Sequence, residues 1–322
     1  MKILVTGGLG LIGHNVVRKL EKLGHEVAIT DTRTNYGCIP QEQIDYLISE
    51  RIKLIKTDRL HRIDISDKDG TDWLVGQYRP DVIIHLASFP RQKVVNADPA
   101  AGSRVMSEGL LNLLEACLKF DCYRFVYTSS SMVYGDFQDF VTEDADCRPQ
   151  GQYGIMKLAG EWLIRDYQRK GINHTILRPS AVYGPLDVED RVISKFLLTA
   201  MNGGVLKVNG EQETLDFTYV DDAAEGIVAS ALSPNTANQT YNITKSHSTT
   251  LLAAAQMAVE LAGRGSIEVR GKDADFPSRG ALDITKAQKD FGFNPKVDVR
   301  EGFEIYYKWL KNDPFFGIDN IL

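Results

Sequence analysis

Tyr153 and Lys157 stand four residues apart in the stretch YGIMK, downstream of the serine run Ser129-Ser130-Ser131. On a helix that spacing puts both side chains on one face. A phenol titrates near ~10 when free, and a neighbouring ammonium favours its ionised form. The pair can therefore take a proton from a carbinol or return one to a ketone. Ser130 follows the apolar run Arg124 to Thr128, RFVYT, and from the carboxyl end of such a strand it can hydrogen-bond the same substrate oxygen. A Tyr and a Lys at this spacing also occur on many solvated helices. The residues upstream are what set this pair apart.

The chain opens on MKILVTGGLGLIG. Ile3, Leu4 and Val5 form a short apolar run of the kind buried on both faces of a parallel sheet. Gly7, Gly10 and Gly13 follow at three-residue spacing, and Leu11, Ile12, Val16, Val17 and Leu20 then recur at helical spacing. Strand, glycine turn and helix together present backbone N–H groups and a helix N-terminus to a pyrophosphate. A second buried strand, HEVAITD, ends on Asp31, 18 residues after Gly13. That is near the ~20 expected for a carboxylate that holds adenosine ribose hydroxyls, and it favours NAD over NADP by repelling a 2′-phosphate. Arg33 softens this preference without reversing it. Capping of the next turn is the plainer alternative for Asp31.

These motifs need a scaffold, and the rest of the chain supplies one. After a helix-like Ile44 to Ile48, the stretch Ile52 to Ile55 reads as a third strand. Asp64-Ile65 suits the flank of an adenine ring, or alternatively an N-cap, a part that Ser66 or Asp67 fills better. DVIIHL (Asp81 to Leu86) is the next buried strand, and Ala87-Ser88 leave room for a ligand. Leu110, Leu111, Leu113, Leu114 and Cys117 mark a helix, and RFVYT a further strand. A helix then runs from Tyr153 to Lys170, with Ile155, Leu158, Ala159, Trp162 and Leu163 on its buried side and Gly171 as its C-cap. HTILR (His174 to Arg178) closes the series. Alternation of this kind implies an α/β fold, a doubly wound parallel sheet with right-handed crossovers. Beyond Pro179 the loops lengthen and a smaller lobe begins. There Leu215 to Val220 and Gln239 to Ile243 read as strands, and Ala223 to Ala231 and Thr250 to Ala262 as helices.

With 322 residues, 43% of them hydrophobic, the chain can bury one large core or two modest ones. A net charge of −6 argues against a nucleic-acid partner, and no basic run with interleaved aromatics occurs. Cys38, Cys117, Cys122 and Cys147 form no C-x-x-C pair and show no metal-ligand spacing, so they read as reduced residues and no metal is expected. A strand begins within two residues of Met1 and no apolar run is long enough to span a bilayer, so a cytoplasmic, non-membrane protein is expected.

Taken together, the motifs resemble the extended short-chain dehydrogenase/reductase superfamily, in particular its nucleotide-sugar epimerase and dehydratase branch, of which UDP-glucose 4-epimerase is typical. The resemblance rests on Thr6–Gly13, Asp31, Asp64-Ile65, HLA at His85–Ala87, SSSMVYG at Ser129–Gly135, YGIMK, LRPSAVYGP at Leu177–Pro185 and DFTYVDD at Asp216–Asp222. It implies a Rossmann domain over residues 1–178 plus about 214–243, and a smaller α/β substrate lobe over 179–213 plus 244–322. It also implies an NAD site that includes Gly7, Gly10, Leu11, Ile12, Gly13, Asp31, Asp64, Ile65, Leu86, Ala87, Tyr153 and Lys157. A homodimer through the helices of Leu110–Leu114 and Tyr153–Lys157 is often found. By resemblance Tyr153 is the catalytic base, Lys157 binds the nicotinamide ribose and lowers the tyrosine pKa, and Ser130 holds the reacting oxygen.

The departures from the pattern bear on the reaction. Related dehydratases and decarboxylases usually carry an acid just before Val-Tyr-Gly, where this chain has Met132, which can neither donate nor accept a proton. That argues against dehydration and leaves 4-epimerisation of a nucleotide sugar through a transient ketone as the main expectation. A net dehydrogenase or ketoreductase of a sugar nucleotide or small alcohol uses the same residues. A non-catalytic NAD-binding regulatory protein is the reading from another class. Ala181 stands where the family often has a diphosphate-binding Asn, Leu215 where it often has an Arg, and Met106 where another Asn is common. Arg191, Lys195, Lys207 and Arg279 are candidates to hold phosphate instead, and a substrate without a nucleotide is the other possibility.

Overall fold

The structure, a computed structural model, describes residues 1–37 and 39–317, so Cys38 lies outside the described residues. Seven strands, β1 (Lys2–Thr6), β2 (Glu26–Thr30), β3 (Leu60–His61), β4 (Val82–His85), β5 (Arg124–Thr128), β6 (Asn173–Pro179) and β7 (Gln239–Ile243), form one parallel sheet in the order β7-β6-β5-β4-β1-β2-β3. The order reverses between β1 and β4, and there the carboxyl ends diverge and a crevice opens.

Both faces of the sheet are covered, and for that reason its strands are continuously apolar. Helices α1 (Leu11–Lys22) and α6 (Val220–Leu232) put Val16, Val17, Leu20, Ala224 and Ile227 against Ile3, Val5 and Ile84. On the other face, α3 (Lys68–Tyr78), α4 (Gly109–Lys119) and α5 (Gly151–Gln168) set Leu74, Leu113, Leu114, Ile164 and Tyr167 against Leu4, Ile83 and Phe125. A third core collects helices Val192–Met201, Leu251–Ala262 and Val299–Asn312 with the parallel pair Val205–Asn209 and Ser266–Arg270. It also takes in Leu47 from α2 (Gln41–Lys53).

Several local expectations change. Ile52 to Ile55 is not a strand: the Gln41–Lys53 helix runs through Ile52, and its buried face extends to Arg51, while the third strand is Leu60–His61. The DFTYVDD segment divides into Thr214–Asp216, antiparallel to Ser248–Thr250, and Thr218–Tyr219, parallel to Val182–Tyr183. On α5 the buried side carries Gly154, Lys157, Leu158, Gly160, Glu161, Ile164 and Tyr167, while Ile155 and Trp162 are 53% and 63% exposed. The sheet accepts the face that bears Lys157, so of the stripe expected inside Leu158 is buried and Leu163 partly so, while Ile155 and Trp162 point outward. The helix ends at Gln168, before Gly171. Cys117, Cys122 and Cys147 are free thiols, and among the described residues no helix is long and apolar enough to cross a membrane.

The glycine turn shows why its residues cannot be larger. Gly7 has φ 68°, and a Cβ there would lie 2.7 Å from the Ala87 nitrogen. A Cβ on Gly13 would lie 2.2 Å from the Gly7 carbonyl, so helix and turn could not close on each other. At Gly10 the nearest atom is the Gly7 oxygen at 3.2 Å. Gly13→Ala is expected to lower stability by about 1–3 kcal/mol through forced backbone displacement, read as a fall in the thermal midpoint; an unchanged midpoint would show that the turn can relax.

Candidate active site

A cavity of about 700 Å³ opens at the carboxyl ends of the central strands, between the sheet and the carboxyl-terminal elements. It gathers almost every residue singled out from sequence. Gly7, Gly10, Leu11, Ile12, Gly13, Asp31, Asp64, Ile65, Leu86, Ala87, Ser130, Tyr153 and Lys157 all line it. Of the four candidate phosphate ligands, Arg191 and Arg279 line it and Lys195 and Lys207 do not. Ala181, Leu215 and Met132 are on its wall, whereas Met106 is buried behind it among Phe89, Val94 and Val95.

Asp31 is placed by the end of β2. One carboxylate oxygen accepts from the Leu9 N–H at 3.0 Å and the other from the Arg33 N–H at 2.8 Å. The acid thus fastens the glycine turn as well as facing the cavity. Asp64 does not cap α3: Asp67 does, accepting from the Gly70 N–H at 3.2 Å, while Asp64 accepts from the Ser66 N–H and hydroxyl at 2.9 and 2.8 Å.

Ser130 caps the short turn Ser131–Val133, its oxygen accepting from the Met132 N–H at 3.2 Å, and it acts on the Tyr153 phenol, drawing its proton affinity down. Lys157 Nζ donates to the Thr128 carbonyl at 2.8 Å and sits 5.8 Å from the centre of the Tyr153 ring. Burial raises the Tyr153 phenol above its ordinary value, while the Ser130 hydrogen bond and the charges of Arg191 and Arg279 pull it down. Burial also pushes Lys157 down to about 7, against the charge of Glu161. The downward pull on the phenol thus comes from the serine and two guanidiniums.

Sequence reasoning missed the layer behind these residues. Glu161, fully buried, accepts from Ser129 Oγ at 2.6 Å, from Arg178 Nε and Nη2 at 2.9 and 2.7 Å, and from Arg165 Nη2 at 3.0 Å. Its place four residues after Lys157 was the available signal. Arg51 was missed too: it donates to the Leu9 carbonyl at 2.9 Å and the Leu186 carbonyl at 2.6 Å, joining the glycine turn to the loop beyond β6.

Buried polar atoms without a protein partner concentrate here. Arg33 Nε, Arg51 Nε, Gln92 Oε1, Thr128 Oγ1, Asp187 Oδ2, Asp190 Oδ1 and Arg279 Nε all belong to residues lining the cavity. Such groups cost about 1–3 kcal/mol each when left unmade, so their concentration fits a large polar occupant. The open face at Gly10 and the Asp31 carboxylate fit the pyrophosphate and ribose of a dinucleotide.

Comparison with known proteins agrees with this geometry. The model of the NAD dependent epimerase/dehydratase family matches residues 3–244. An uncharacterized UDP-glucose epimerase, YtcB, of Bacillus subtilis (strain 168) is 30% identical over 95% of this chain and 98% of its own length. A dTDP-glucose 4,6-dehydratase of Neisseria meningitidis serogroup B is 27% identical over 96% and 92%. The crystal structure of a UDP-glucuronic acid 4-epimerase from Bacillus cereus, in complex with UDP-glucuronic acid and NAD, superposes with a TM-score of 0.88 at 29% identity, covering 97% of this chain and 99% of that one.

Asp31→Ala is expected to weaken NAD binding roughly tenfold or more and to narrow the gap to NADP, measured by titrating both dinucleotides; unchanged affinities would remove Asp31 from the ribose site. The chain belongs to the NAD dependent epimerase/dehydratase family, as an NAD-dependent enzyme of the extended short-chain dehydrogenase/reductase type.

Proposed function

We propose that the protein is a 4-epimerase of a nucleotide-linked sugar, working through a transient 4-keto sugar. The observation that carries this reading is the Ser130–Tyr153–Lys157 cluster at the floor of the cavity with Met132, buried and unable to transfer a proton, beside it. Relatives named as a UDP-glucose epimerase and a UDP-glucuronic acid 4-epimerase support it.

NAD, when bound, supplies a reversible hydride acceptor, and Gly10, Asp31, Asp64 and Lys157 are the residues to hold it. Ser130 fixes the C4 oxygen of the sugar through its hydroxyl. Tyr153 takes the proton from that oxygen as the ketone forms and gives it back from the same atom after the sugar has presented its other face. Lys157 steadies the phenolate and the ribose. Arg191 and Arg279 stand where phosphate can be held in place of the residues lost at Ala181 and Leu215, and the burial that pushes Arg279 down to about 10 is relieved by an anion. Residues 1–178 with about 214–243 act as the cofactor half, and 179–213 with 244–322 as the sugar half. The working form is a cytoplasmic homodimer joined through the outward face of α5.

The test is incubation with a panel of nucleotide sugars. Conversion to the C4 epimer without build-up of reduced cofactor is expected, and Tyr153→Phe should abolish it while NAD still binds. Accumulating NADH would instead favour a net dehydrogenase, and full activity in Tyr153→Phe would overturn the assigned base. For the dimer, Trp162→Glu is expected to halve the mass measured by light scattering; an unchanged mass would place the interface elsewhere.

A further inference from the structure

Lys157 is a buried ammonium, and the groups facing it are poor counter-charges. Thr128 offers a carbonyl from β5, and the Tyr127 ring of the same strand lies 5.2 Å from Nζ. His85 on β4 is held neutral, its imidazole pushed down to about 3 by burial and by Lys157 itself. Burial raises the Tyr127 phenol well above its ordinary value, so it offers no negative charge. Among the described residues, the anion acting on Lys157 is Glu161, a helical turn further along α5.

Glu161 is built to remain charged. Burial alone would raise its carboxyl, but the hydrogen bonds and charge of Arg178, with Ser129 and Arg165, outweigh burial and hold it low. Arg178 is occupied on its other side by the Tyr134 hydroxyl at 2.9 Å and the Glu143 carbonyl at 3.1 Å. Through Ser129 the same carboxylate grips the residue that precedes Ser130.

We propose that Glu161 is a positioning residue of the reaction centre: four residues along the same buried face of α5 it stands as the counter-charge to Lys157, and its bond to Ser129 fixes the strand end that aims Ser130. The inference rests on the reading above, in which Lys157 works as an ammonium beside the cofactor ribose. A carboxylate that merely neutralised Arg178 would stabilise the fold without setting the proton affinity of the lysine, and the two roles separate by pH.

The experiment is NAD titration across pH with the full chain, and turnover where a substrate is in hand. In the parent, affinity falls as pH rises through the Lys157 titration. Glu161→Gln keeps the shape and removes the charge, and it is expected to move that falling limb down by about one pH unit. Glu161→Asp should restore much of the shift. Arg165→Gln leaves the carboxylate less neutralised at a partly exposed position and should move the limb the opposite way. A limb that stays put in both Glu161→Gln and Arg165→Gln, whatever happens to the thermal midpoint, overturns the proposal. If Glu161→Gln does not fold, the Arg165→Gln limb decides alone. NAD titration needs no sugar, so a failure of the proposed epimerisation leaves this result readable.

Discussion

A buried lysine amine at the cavity wall, hydrogen-bonded to the Thr128 carbonyl, is the constraint around which the structure is arranged. Removing its charge from solvent is costly, and proteins meet the cost with acceptors and counter-charge or let the amine lose its proton. Here β5 brings the Thr128 carbonyl to Nζ, and α5 brings a carboxylate one turn away. The carboxylate needs its own partners, so β6 contributes Arg178 and the strand end contributes Ser129. Three neighbouring elements are thereby locked in register by one buried charge, and the reacting groups sit at the point where they meet.

The glycine turn and the strands of the parallel sheet were legible in the sequence because their constraints are local. A glycine that must admit a carbonyl, as Gly13 does, permits no other residue, and an acid ending β2 falls at a spacing set by one strand and one helix. Buried parallel strands are apolar throughout, so DVIIHL and RFVYT could be read directly. The reading failed where a segment is short or its faces compete. Ile52 to Ile55 has the composition of a strand but continues the helix that carries Arg51 into the core. On α5, apolar residues lie on both sides, and only the tertiary arrangement decides that Lys157 and Glu161 go inward and Ile155 and Trp162 outward.

The site divides in the same way. Ser130, Tyr153 and Lys157 follow from spacing on adjacent elements, whereas the supporting pairs are distant in sequence and invisible to it. Glu161 meets Arg178, 17 residues on, and Arg91 pairs with Asp190 across 99. Of four basic candidates, Arg191 and Arg279 reach the cavity, because charge alone does not say which way a side chain turns. Ala181 has a left-handed φ of 38°, a backbone geometry that its residue type does not announce.

Arg51 carries a mechanical consequence. With one guanidinium nitrogen on the carbonyl of Leu9 and another on that of Leu186, it is a cross-brace between the glycine turn and the loop leading to the far lobe. Separating these two segments would leave a buried guanidinium without its carbonyl acceptors, so they resist parting beside the crevice. A clasp of that kind suits a catalyst that returns its borrowed electrons in every cycle and keeps its redox carrier aboard.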